Sequence, residues 1–172
     1  MATLISGSTG VNKITDGTIV NADIASGAAI AGTKLVMPAG SVLQVVSSTL
    51  TSGNAISSSS NTFVNAGLSA AITPSASSSK ILVMVDQNLS SGASGNWTGF
   101  GVFRGSTSIK SHSYVQRNGG SHMSTQVSYI KLDSPNTTNA TTYKTMFKAS
   151  TGTAQVNDNN APATITLMEI AG

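Results

Sequence analysis

Cysteine is absent from this chain, which excludes a disulfide framework and any thiolate-bound metal. Charge is scarce as well. Nine Lys and Arg with six Asp and Glu make 9% of the 172 residues, where an ordinary globular chain carries about a quarter. The basic residues are scattered along the chain, at Lys13, Lys34, Lys80, Arg104, Lys110, Arg117, Lys131, Lys144 and Lys148. A nucleic-acid surface needs them clustered and interleaved with aromatics, so no nucleic-acid partner is expected. No apolar run approaches the roughly 20 residues of a membrane helix, and the opening MATLISGSTG lacks the basic and apolar stretches of a secretory signal. A protein made in the cytoplasm, without membrane insertion, is the expectation. Aromatics amount to 5%, so a core must rest on Val, Ile, Leu, Met and Ala. No segment shows a helical period bounded by caps.

Ser, Thr, Asn and Gly fill the space that charge leaves. Disorder combines low hydrophobicity with high charge; here the charge is missing, and a polar-surfaced β protein is expected. One stretch departs from that pattern. In ITDGTIVNADIASGAAIAGTKL the large aliphatics are Ile14, Ile19, Ile24, Ile30 and Leu35, spaced five, five, six and five apart, with Asp-Gly, Asn-Ala-Asp and Ser-Gly turns between them. A helix would space them three or four apart and a strand two apart. One aliphatic group in five cannot offset about 1–2 kcal/mol of backbone entropy per ordered residue in a lone chain. Parallel copies around an axis can stack these side chains in layers, so residues 1–37 are expected to form the extended stem of an oligomer, a trimer, through those five residues.

Pro38-Ala39-Gly40 ends the stem, because Pro and Gly together interrupt what precedes them. Residues 38–172 then alternate short Val, Ile, Thr and aromatic runs with Ser, Gly and Asn clusters, the pattern of an antiparallel β-sandwich. Strands are expected near Ser41–Leu50, Thr62–Ile72, Lys80–Leu89, Trp97–Arg104, Ser108–Val115, Ser124–Leu132, Tyr143–Ala149 and Thr164–Ile170. Eight strands suit a jelly-roll-like fold of two sheets. Ile81–Val85 is apolar at every position, so both faces of that strand need cover. A neighbouring subunit over Leu82 and Met84 would supply it; loops of the same chain are the alternative. Ser57-Ser58-Ser59-Ser60 reads as a flexible surface loop. Glu169, between Met168 and Ile170, is expected to face solvent or a lysine across the sheet.

Catalytic and metal constellations are not found. His112 and His122 are ten residues apart with no carboxylate near in sequence, so both are expected to be exposed histidines outside any metal site. No serine stands in a Gly-x-Ser-x-Gly elbow. A glycosidase needs two carboxylates held about 5–10 Å apart; Asp16 and Asp23 belong to stem turns and Asp133 to a Pro-Asn turn. Gly99-Phe100-Gly101 has the wrong spacing for a dinucleotide fingerprint and no helix follows; its glycines serve a flat strand or the close approach of another backbone. No enzyme activity and no cofactor are expected. The region of greatest interest for ligands holds Trp97, Tyr114 and Arg117, where Trp97 follows a Gly/Ser loop and could stack on a sugar ring. Core burial is the competing reading for Trp97, and the favoured one for Phe103.

The stem, with its pattern of Ile14, Gly17, Ile19, Asp23, Ile24, Ala28, Ile30, Lys34 and Leu35, is similar to segments of tail-fibre and other structural proteins of tailed bacteriophages. LSAAITPSASSSKILVMV (68–85), FRGSTSI (103–109), LDSPNTTNATTYKTMF (132–147) and TITLMEIAG (164–172) resemble, in the same order, the C-terminal domains of virion proteins from marine and cyanobacterial phages. The resemblance implies a trimeric virion component. Its N-terminal region would attach to a tail adaptor or capsid protein, and its C-terminal domain would be exposed, for adhesion to a host surface glycan or outer-membrane protein. A capsid decoration or head-fibre protein that stabilises the shell without a receptor is the alternative.

Overall fold

Period-two alternation of buried and exposed residues runs through most of the chain after Gly40, as in Val64–Ile72 and Ala163–Ile170. It turns one side of each strand to a shared interior. The structure is a computed structural model that describes residues 36–51, 55–92, 95–120 and 122–172. The stem residues Ile14, Ile19, Ile24, Ile30 and Leu35 lie outside the described residues.

Ten strands occur among the described residues: β1 (Val42–Leu50), β2 (Ile56–Ser58), β3 (Val64–Ile72), β4 (Lys80–Ser91), β5 (Trp97–Arg104), β6 (Thr107–Arg117), β7 (Met123–Asp133), β8 (Thr141–Ala149), β9 (Ala154–Val156) and β10 (Ala163–Ile170). They form two antiparallel sheets. One contains β1, β10, β4 and β7 in that order, and the other β3, β8, β5 and β6. The short β9 continues the β10 edge of β4, and β2 pairs with it. All eight expected strands are present within two residues at either end. Their order is that of an eight-stranded jelly roll.

Two short strands depart from expectation. Ser57 and Ser58 are in β2, opposite Gln155 and Ala154, where a flexible loop was expected. Strand pairing uses backbone groups alone, and Ile56 anchors the segment by packing against the core.

The interior has two compositions. Leu68, Ile81, Val83, Phe100, Tyr143, Phe147, Ile165 and Leu167 are fully buried between the sheets, each contributing about 1.5–3 kcal/mol by leaving water. At the end where β4 passes from β10 to β9, Leu89, Ala154 and Val156 are buried together with the polar Gln87, Asn88, Ser90, Ser91, Asn96, Gln116 and Asn118. Gln87, Asn88, Asn96 and Asn118 use their amides to tie neighbouring strands and loops together. Asn96 donates to Ser91 Oγ (2.9 Å) and the Thr153 carbonyl (3.2 Å) and accepts from the Thr151 N–H (3.2 Å). Gln87 donates to the Ala66 carbonyl and to Asn157 Oδ1, both at 3.0 Å.

Glu169 corrects a second expectation. The inward alternation of β10 carries it into the interior, fully buried, and a β-bulge at Leu43 on β1 brings Gln44 opposite it. Gln44 Nε2 donates to its carboxylate at 2.6 Å, and the Ser75 N–H and Oγ donate at 2.7 and 2.6 Å. Burial opposes ionisation, but the Ser75 and Gln44 donors outweigh it and bring the carboxyl from 4.5 down to about 2.

Candidate functional surfaces

The outer face of the larger sheet is built by register. Val45, Met168, Leu82 and Leu132 are successive cross-strand partners on β1, β10, β4 and β7. The next row outward-facing row is Ser47, Thr166, Met84 and Ile130, and the third is Thr49, Thr164, Asp86 and Ser128. Ile81, Val83 and Val85 point to the core, while Leu82 and Met84 on the opposite side stay half-buried. Val45, Ile130 and Leu132 are 54%, 60% and 47% exposed. An open depression of about 290 Å³ lies among Met84, Asp86, Ser128, Ile130, Thr164 and Thr166. Aliphatic side chains in two adjacent rows are a contiguous patch, a different matter from scattered exposed residues. Such a face can bind by exclusion of water. The Asp86 carboxylate, accepting from Ser128 Oγ at 3.1 Å, limits it on one side.

The second surface gathers the three aromatic and cationic residues singled out in the sequence. Trp97 opens β5 and Arg117 ends β6 directly opposite. The Arg117 guanidinium lies 5.1 Å from the centre of the Trp97 ring, and Tyr114 meets the same ring edge-on at 5.1 Å. Trp97 is 38% exposed and Tyr114 67%. The core reading of Trp97 is thereby set aside. Phe103 is buried, as favoured, but against Phe63 at 5.4 Å and outside the inter-sheet core cluster.

Gly99 and Gly101, between Trp97 and Phe103 on the same side of β5, explain the shape of this surface. A Cβ on Gly99 would stand 2.9 Å from the Ser113 carbonyl oxygen and 3.0 Å from that of His112. On Gly101 it would stand 2.7 Å from Ser111 Cβ. Between Thr98 and Phe100, β5 advances two residues while β6 advances four, from Gln116 to His112. That bulge lies over Gly99 and includes Tyr114 beside Trp97. The glycines therefore serve the close backbone approach expected of them.

The remaining ionisable groups have structural partners. Asp133 accepts from Arg104 Nη1 and from the Tyr143 hydroxyl, both at 2.8 Å, where the sequence offered only a turn. Burial, then the Asp133 hydrogen bond and charge, push the Tyr143 phenol upward, and burial pushes Tyr129 up to about 12. His122 pairs with Asp158 at 2.9 Å, and His112 meets the Tyr129 ring edge-on at 5.9 Å. Among the described residues no three His, Cys, Asp or Glu side chains stand close enough to hold a metal. The sequence could not indicate the Arg104–Asp133–Tyr143 cluster, since its members come from three strands.

No family model matches the chain, and no curated protein matches it. Among solved structures, the infectious bursal disease virus VP2 subviral particle aligns with TM-score 0.45 and 14% identity, over 84% of this chain and 42% of that one. The Gt strain of the same virus aligns with TM-score 0.42 and 14% identity, over 81% and 41%. The chain thus spans less than half the length of these neighbours.

Proposed function

We propose that the chain is a virion structural protein that works by association. In this reading residues 1–37 form a threefold stem joined to another virion protein, and the sandwich of residues 38–172 is the exposed knob. Neighbouring copies cover the outer face of the larger sheet. The observation that carries the reading is the apolar row through Leu82 with Met84 and Ile130 beside it, on a chain with only 9% charge. The tail-fibre resemblance of the stem supports the same assignment. Adhesion to a host surface is the task of the knob, where three weak sites on one rigid body gain avidity through effective concentration.

The experiment is sedimentation of the full chain at micromolar concentration. A trimer is expected, with Met84→Glu/Ile130→Lys weakening association by about a hundredfold at unchanged β-sheet circular dichroism. A folded wild-type monomer overturns the reading. A double variant that stays fully trimeric assigns association to the stem and removes the sheet face. The jelly-roll strand order favours one second reading, a shell-decorating protein without receptor. Tens to hundreds of copies per particle would support decoration, against a few trimers for a fibre.

A further inference from the structure

We propose that the outer face of the smaller sheet, around Trp97, Tyr114 and Arg117, binds an acidic saccharide, with uronic-acid carboxylates as the charged groups. This rests on reading the knob as the adhesive part and names its ligand class. Two exposed rings set edge to face present flat apolar walls at an angle, which suits the C–H faces of a sugar. Carboxylate preference comes from the charge pattern.

Arg117 flanks the Trp97 ring. Lys148 stands opposite Gly99, and Lys144 opposite Phe103, on the neighbouring strand. These three cations share a sheet face that carries none of the four described carboxylates. Asp133 is paired with Arg104 and Asp158 with His122, Asp86 lies on the opposite sheet beside Ser128, and Glu169 is buried. Lys148 and Arg117 lie over the Phe63 and Trp97 rings with no carboxylate among the described residues beside them, and a uronate would meet the planar donor fork of Arg117 with two oxygens. Gly99 and Gly101 let the β6 bulge and the Lys148 and Phe103 side chains close over the middle of β5, so the sugar meets the exposed Trp97 and Tyr114 rings with Arg117 beside them at the end of the strand.

Titration calorimetry of the full chain with a hexamer of galacturonic acid, against a neutral glucose hexamer, tests the proposal. Binding of the uronate and about tenfold weaker binding of the neutral oligomer are expected. Trp97→Ala should weaken uronate binding about tenfold, and Tyr114→Ala, at a more exposed position, should weaken it severalfold while leaving the melting temperature unchanged. Arg117→Gln should abolish the preference for uronate and leave the neutral oligomer's affinity unchanged. No uronate binding by the wild type, equal binding of both oligomers, or insensitivity to Trp97→Ala and Tyr114→Ala each overturns it. So does equal binding of inorganic polyphosphate, which marks charge alone. A flat titration with the trimer intact sinks the saccharide site alone; a monomeric wild type that binds uronate sinks the assembly reading alone.

Discussion

The two sheets share one interior but present opposite chemistry outward. The larger sheet shows Val45, Met168, Leu82 and Leu132 in one row and Met84 with Ile130 in the next. The smaller sheet shows Trp97 and Tyr114 at one end of β5 and cations on the neighbouring strands. Water is readily expelled from the first row of the larger sheet, which has no polar side chain to desolvate. The second face holds its cations in water beside aromatic rings, which suits reversible contact with a hydrated ligand. In the proposed reading the first face serves assembly and the second recognition, and the contrast between them is what the following experiments probe.

The largest effect should come from charging the aliphatic face. Met84→Glu/Ile130→Lys is expected to weaken association about a hundredfold while the melting temperature moves little, because both side chains already reach solvent; sedimentation and thermal melts read the two outcomes separately. The same pair of changes should leave uronate binding intact, which breaks the comparison if it fails.

Next in size, Gly99→Val should destabilise the domain by about 3 kcal/mol in chemical denaturation, since the new side chain meets the backbone of the β6 bulge at 2.9–3.0 Å. It should also displace Tyr114 and weaken saccharide binding, with association unchanged.

Acid sharpens the contrast from below the larger sheet. Glu169 has its carboxyl held at about 2 in the folded chain against an ordinary 4.5, so the native state binds fewer protons than the unfolded one between those values. Its contribution, about 3 kcal/mol, is complete well above pH 4.5 and is lost as pH falls from 4.5 through 2. Glu169→Gln should remove this acid limb and lower stability at pH 7 by a similar amount, read by urea denaturation across pH. The smallest effect belongs to Arg117→Gln. Its stability change should stay within about 0.5 kcal/mol, with only ligand preference altered.

Much of the strand framework was legible in the sequence because it follows from local alternation. Trp97–Arg104 begins and ends where expected, and the apolar run Ile81–Val85 indicated an unusual second face. Glu169 was misplaced for a physical reason. Its neighbours imply a strand, but its direction depends on the strand's parity relative to a partner more than a hundred residues away, and its charge is tolerated only because Ser75 and Gln44 converge on it. The Ser57-Ser58 stretch reads as loop because serine repeats carry no packing signal, yet backbone pairing with Gln155 and Ala154 needs none.

Composition and spacing by themselves determined an all-β chain poor in charge, without cysteine chemistry, with a surplus of aliphatic surface on one strand. Only the tertiary structure decided that this surplus joins three other strands in continuous rows, and that Trp97, Tyr114 and Arg117 meet. The reason is range. Alternation is written between neighbours in the chain, whereas rows and clusters are set by cross-strand register and by one bulge, which no short stretch of sequence encodes alone.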